Sequence, residues 1–286
     1  MQSTPLTPEK AAFKLTNVLN VLSATHGDKR FPVDVPRLAE GCHELFQWSD
    51  PITKVVGADL PGFDGCLSFR GEGKGWALIY NETAGSAGRI RFTQAHELGH
   101  YILHRKTRTS FECTSDDMDD WQAHDRAIEN EADRFAANLL MPLDDFRKQI
   151  SKSVDFDQIA VCASRYGVSL TAAALRWVDA TDAKLVLVSS VDGFIRWSFS
   201  SKSARESGAF LRARKSVVEV PSGSLAAEIS VSREPEGVPI DARLWFPDAH
   251  AKTKVREMKI ASEQFGILSL IELPRTESVW APWETK

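Results

Sequence analysis

The sequence predicts an α+β protein in three parts: a helical N-terminal domain with a small β-hairpin over residues 1–145, a helix-turn-helix-like segment over 146–182, and a C-terminal α/β domain over 183–286. Three observations carry this. Apolar residues recur at helical spacing around residues 8–25, 93–105 and 126–140. Two apolar runs flank the glycine-rich stretch RGEGKG. After about residue 183 the texture changes to short runs rich in β-branched and aromatic residues.

The elements follow in order. Residues 8–25 place Ala12, Phe13, Leu15, Val18, Leu19 and Leu22 on helical spacing. FPVDVPRLAEGC, with its prolines, reads as an extended lead into a short helix. Cys66–Phe69 and Trp76–Tyr80 on either side of RGEGKG read as a hairpin, because glycine takes the backbone angles that tight turns need. AGSAGRIRF leads into a helix from about Thr93 to Arg105. KTRTSFECTSDDMDDWQAHD is polar and acidic and reads as a surface loop. Its aspartates lack the glycine and terminal glutamate of an EF-hand. A helix over about Arg126–Leu140 stops at Met141-Pro142, since proline cannot continue the hydrogen-bond ladder. Residues 144–178 read as two or three short helices, with DQIAVCASRYGVSLTAAALRWV in helix-turn-helix form. Strands are expected in KLVLVSSVDGFIRWSF, SVVEVP, LAAEISV, ARLWF and GILSLIEL.

Bulk composition sets limits. With 286 residues, 43% hydrophobic and 26% charged, the chain can bury a sizeable core. A net charge of −4 provides no global basic field for nucleic acid or an anionic membrane. Cys42, Cys66, Cys113 and Cys162 show no Cys-x-x-Cys spacing and are expected to be reduced thiols of a cytoplasmic protein. The N-terminus lacks a basic segment followed by an unbroken apolar one. No run approaches the ~18–20 apolar residues that span a bilayer.

The chemistry concentrates in RFTQAHELGHYILH. Residues four apart share a helix face, so His96 and His100 can aim two imidazoles at one point. Neutral imidazole is a good zinc ligand at ~2.0–2.1 Å. Glu97, one step round, is placed to act as general base on water whose pKa a metal has lowered. Gly99 costs ~1 kcal/mol in a helix interior, a cost easier to accept where something approaches the backbone closely. A catalytic zinc site has three protein ligands and one open position. The third is sought in IENEADRFAANLLMP. Glu129 and Asp133 share a face, whereas Glu131 lies ~200° round from Glu129 at ~3.6 residues per turn. Glu129 is therefore the expected ligand. Asp133, one turn on, is expected to accept from the second nitrogen of a ligating histidine. The competing explanation is a surface helix with solvated acids.

Other residues are weighed in turn. A three-histidine site of the HExxHxxGxxH type needs its last histidine six after the second, where Lys106 stands. His104 reads instead as a last-turn histidine favouring the negative end of the helix dipole. Tyr101 or His124 is a candidate oxyanion stabiliser. Zinc is the expected ion and manganese an alternative, since a histidine–carboxylate site accepts several divalent cations.

Together, RFTQAHELGHYILH and IENEADRFAANLLMP resemble the ImmA/IrrE family of metallopeptidases over roughly residues 63–145. The resemblance implies a zincin-like, gluzincin-type peptidase with His96, His100 and Glu129 as ligands and Glu97 as catalytic base. It implies cleavage of a helix-turn-helix repressor that relieves transcriptional repression in a stress response or mobile-element regulation. It also implies a GAF-like domain over 183–286, although no specific motif marks it.

Two further classes compete. One is a DNA-binding regulator acting through residues 155–180, with a structural or vestigial metal site. Direct DNA binding is disfavoured: Arg176 is the single basic residue of SLTAAALRWV, and recognition helices carry basic and amide side chains. The other is a small-molecule sensor in the C-terminal domain, through the basic Ser201–Lys215 stretch or tryptophans at 197, 245, 280 and 283. Solvation of the first and core packing of the second explain them more simply.

Overall fold

The computed structural model describes residues 6–27, 29–83, 85–113, 123–213, 217–262, 266–275 and 279–280. It is α+β, with eight α-helices and two sheets among the described residues. The chain divides into two compact units. The first comprises residues 1–145 with 163–169, and the second 146–162 with 170–286. No described helix is long and apolar enough to cross a membrane. Cys42, Cys66 and Cys162 are free thiols.

In the first unit, α1 (Pro8–His26) starts at Thr7, whose side chain accepts from Lys10 N–H, and stops at Gly27 in the left-handed region. It buries Ala11, Ala12 and Leu15. α2 (Val35–Phe46) is capped by Asp34. A four-stranded sheet follows, formed by β1 (Ile52–Ala58), β2 (Gly65–Phe69), β3 (Trp76–Asn81) and β4 (Ser110–Cys113) in the order β1-β3-β2-β4. β2 pairs antiparallel with both neighbours, and β1 runs parallel to β3. The β2–β3 turn holds Gly71, Gly73 and Gly75 at φ of 101°, 72° and 65°, which side chains rarely adopt.

Two strands here depart from the sequence reading. β1 carries no clean alternation, with Thr53 and Lys54 both exposed, and was not expected. β4 lies in the stretch read as loop; its Phe111 is buried opposite Leu67 of β2. A four-residue strand is too short to announce itself by periodicity and exists because β2 pairs with it.

α3 (Ala87–His104) begins six residues before the expected start, because Ser86 caps it by accepting from Arg89 N–H at 3.2 Å. Its first turns are half-exposed. From Thr93 to Ile102 every residue is buried. α4 (Ala123–Leu140) buries Ile128, Ala132, Phe135, Ala136, Leu139 and Leu140 on one stripe. The two helices meet at Gly99. A Cβ there would lie 3.0 Å from Phe135 Cδ1 and 3.2 Å from Ala132 Cα, so the approach anticipated for Gly99 is that of α4.

Beyond α4 come α5 (Leu143–Phe146), α6 (Phe156–Tyr166) and α7 (Leu170–Ala180), with Gly167 left-handed between the last two. In α7, Ala173, Ala174, Trp177 and Val178 are buried. Arg176 is buried too, 3.4 Å from Asp179.

The second unit contains an antiparallel sheet of order β6-β5-β9-β8-β7, built from β5 (Leu185–Val191), β6 (Phe194–Ser200), β7 (Arg233–Asp241), β8 (Lys254–Ser262) and β9 (Gly266–Glu272), with the short helix α8 (Lys202–Glu206) after β6. β5, β6 and β9 match expectation, whereas β7 and β8 were not expected. Three expected strands are absent from these positions. SVVEVP contributes one isolated bridge, Glu219 to Phe194. ARLWF contains a 3-10 turn, Ala242–Leu244. LAAEISV is a series of turns whose backbone groups are met by side chains. Leu225 and Ala226 N–H donate to the buried Glu257 carboxylate, and their carbonyls accept from Lys259 Nζ. A ladder is thus replaced by a buried pair from β8. Burial holds the Glu257 carboxyl above its ordinary range, against the pull of its donors.

Trp245 Nε1 also donates to Glu257, at 3.1 Å, and Trp280 meets Phe246 edge-on, so both serve packing. Trp283, Arg214 and Lys215 lie outside the described residues.

Gly99→Val should destabilise the first unit by about 1–3 kcal/mol, because a Cβ and its two methyls meet α4 backbone and an aromatic ring. The urea midpoint of unfolding, read by far-UV circular dichroism, checks this.

Candidate metal centre

The buried half of α3 sets the problem. His96, Glu97, His100 and His104 all lie inside, where each polar atom needs a partner. α4 supplies three carboxylates. Glu129 Oε2 lies 3.0 Å from His96 Nε2, and Glu129 Oε1 lies 3.4 Å from His100 Nε2. Asp133 Oδ1 lies 2.9 Å from His96 Nδ1. Glu131 Oε2 lies 3.0 Å from His104 Nε2, and His104 Nδ1 lies 3.2 Å from His100 Nδ1. From the sheet, Phe111 of β4 stacks on the His100 ring, with centroids 4.5 Å apart.

His96, His100 and Glu129 each offer one ligand atom, and these all lie within 4.8 Å of one another. Two imidazole nitrogens, His96 Nε2 and His100 Nε2, face each other at 3.0 Å. A carboxylate at His96 Nδ1 draws the ring proton to that side and leaves a lone pair on Nε2. Burial pushes His100 down to about 4, outweighing its hydrogen bond to Glu129, so this ring is neutral near pH 7. The Glu129 carboxyl is held well below its ordinary range; burial works upward but hydrogen bonds to His100 and His96 prevail. A proton on either Nε2 can bridge to Glu129, and a divalent cation can take that proton's place among the same three donors. The donor set therefore fits a divalent ion.

Glu97 is fully buried beside this cluster, with its carboxylate against the start of β2. A Cβ on Gly65 would come within 2.6 Å of Thr93 Cγ2 and 2.9 Å of Glu97 Oε1. Gly65 thus leaves the room that the Glu97 carboxylate occupies. Cys66 follows, its thiol pushed up to about 11 by burial and then by the Glu97 and Glu112 charges. Gly65 was not singled out in the sequence, and Cys66 reads there as a reduced thiol at the head of a hairpin strand. The available signal was a glycine at the head of an apolar strand, which often marks a close approach.

The oxyanion candidates fare differently. The Tyr101 hydroxyl is not brought to the cluster. It donates to the Asp50 carbonyl at 2.9 Å, and its ring packs edge-on against Trp48 and Trp76. A step of ~100° per residue turns position 101 away from the face of position 100. The side chain of His124 lies outside the described residues. His104, read as a dipole partner in the last turn, is buried and engaged with His100 and Glu131.

Residues 56–178 match the Peptidase M78 family model, described as the IrrE N-terminal-like domain, so this segment carries the family that the paired motifs resemble. No curated protein matches the chain. Among solved structures, one described as a Mycobacterium tuberculosis transcriptional regulator aligns with a TM-score of 0.50 and 17% identity, covering 91% of this chain and 87% of that one. At that identity the likeness concerns the fold alone.

Zinc uptake by the metal-free chain, measured by equilibrium dialysis, should be near-stoichiometric in wild type and lost in His96→Ala and Glu129→Gln. Tyr101→Phe should keep its zinc and lose about 0.5–1.5 kcal/mol of unfolding free energy, because its part-buried hydrogen bond to the Asp50 carbonyl is lost.

Proposed function

Taking residues 56–178 as an IrrE N-terminal-like peptidase domain, we propose that the protein is a metal-dependent endopeptidase. His96, His100 and Glu129 hold one divalent cation, zinc or manganese, and Glu97 is the general base. The observation that carries this is the convergence of two histidine nitrogens and a carboxylate beside a second, fully buried carboxylate. The cation, when bound, supplies Lewis acidity that polarises a scissile carbonyl and lowers the pKa of water.

The chain's own residues supply the rest. Glu97 takes the proton of the attacking water on its carboxylate and returns it to the departing amine nitrogen, so one group serves as base and then acid. The rigid helix and the space at Gly65 fix where that carboxylate sits. Asp133 holds the His96 ring by accepting its Nδ1 proton. Hydrolysis consumes one water per peptide bond and leaves an acid and an amine, with no other reactant.

The substrate is a helix-turn-helix repressor, whose cleavage relieves transcriptional repression. This substrate class is what the resemblance of the paired motifs to the ImmA/IrrE family implies. In the same reading α3, α4 and the first sheet form a zincin-like catalytic unit, residues 146–182 a helix-turn-helix-like segment, and the five-stranded sheet a GAF-like sensor. The buried Arg176 argues against α7 as a DNA-reading helix.

Glu97→Gln should keep the cation and slow cleavage by about 10²–10⁴-fold. Co-expression with repressors encoded near its gene, followed by mass spectrometry, should yield cut fragments with wild type and intact repressor with Glu97→Gln. Equal cleavage by both would overturn the role of Glu97, and no cleavage by either the choice of substrate.

A further inference from the structure

His100 differs from His96 in what holds its second nitrogen. His96 Nδ1 meets a carboxylate directly, at 2.9 Å from Asp133. His100 Nδ1 meets another imidazole, that of His104, at 3.2 Å. His104 Nε2 in turn lies 3.0 Å from Glu131. The proton count along this line has one solution that leaves a lone pair facing the cluster. Glu131, as a carboxylate, accepts the proton on His104 Nε2. His104 Nδ1 then carries a lone pair and accepts the proton on His100 Nδ1. His100 Nε2 is left with a lone pair aimed at His96 Nε2 and Glu129. If His104 presented a proton on Nδ1 instead, His100 would have to carry its proton on Nε2 and could not bind a cation there.

We propose that His104 and Glu131 are positioning residues that set the tautomer and ring orientation of His100 for cation binding. This rests on the metal-centre reading above. The arrangement has the geometry such a role requires. His104 is buried at the C-terminal end of α3, so bulk water does not compete for its Nδ1. Phe111 stacks on His100 and lies 6.1 Å from the His104 ring, so both imidazoles share one wall. Glu131 points away from Glu129 and Asp133 on α4, yet reaches the same site through His104. All three acids of the IENEAD stretch therefore act on one cluster: Glu129 directly, Asp133 through His96, and Glu131 through His104.

The test uses the full-length chain stripped of metal. Zinc affinity is measured by competition with a chromogenic chelator for wild type, His100→Ala, His104→Phe, His104→Asn and Glu131→Ala, and thermal unfolding of each metal-free protein is recorded. His104→Phe keeps the bulk and removes the acceptor. His104→Asn places an amide oxygen two bonds from Cβ, as Nδ1 is, and so still accepts from His100. The expected result is a loss of about 10- to 100-fold in affinity for His104→Phe and Glu131→Ala, with most of it recovered in His104→Asn. Metal-free melting temperatures should not track these losses. Unchanged affinity in His104→Phe and Glu131→Ala, with binding abolished in His100→Ala, would overturn the positioning role and leave the metal centre standing. Equal losses in His104→Phe and His104→Asn that follow a fall in melting temperature would reduce His104 to a packing residue and overturn it as well. Wild type without zinc affinity would overturn the metal centre itself.

Discussion

The close approach of α3 and α4 at Gly99 is the contact on which the candidate centre depends. A helix carrying three histidines and a glutamate in its buried half cannot be stable alone. Its polar atoms need partners at hydrogen-bond distance, and only a second helix lying almost against its backbone brings carboxylates that near. Gly99 opposite Ala132 provides the distance. The apolar stripe of α4 provides the adhesion, since burial of Phe135, Leu139 and Leu140 contributes roughly 1.5–3 kcal/mol for each fully buried large side chain. Packing and chemistry thus sit on neighbouring faces of one helix pair.

Hydrogen bonds then settle what packing leaves open. An imidazole can carry its proton on either nitrogen, and the nitrogen that is not protonated is the one that can bind a cation. Asp133 decides this for His96. The convergence of His96, His100 and Glu129 places three donor atoms at one point, where a proton or a cation stands between them. The sheet contributes from the other side: Phe111 of β4 fixes the His100 ring plane, and Gly65 of β2 leaves the volume that Glu97 fills.

The second unit solves a different problem with similar means. Its turn-rich 221–231 segment has no strand partner for Leu225 and Ala226, and Glu257 and Lys259 of β8 satisfy both their N–H and their C=O groups. This contact buries two charged side chains at a cost that the backbone N–H and C=O groups they meet offset. It fixes where an irregular segment lies against a regular sheet.

The sequence by itself determined the long helices, the hairpin and the His96, Glu97, His100 and Glu129 spacing. These follow from local rules: a period of 3.6 residues, glycine in a turn, and two side chains one helical turn apart. The tertiary structure decided what depends on distant partners. β1 and β4 exist because the hairpin offers edges to pair with. LAAEISV, strand-like in composition, is held in turns because β8 meets its backbone with side chains. Tyr101, adjacent in sequence to a predicted ligand, donates to Asp50 because one residue of helix turns it to another face. Glu131, set aside because it points away from Glu129, returns to the cluster through His104. No periodicity contains that link, because it runs between residues 27 apart and exists only once α3 and α4 are packed.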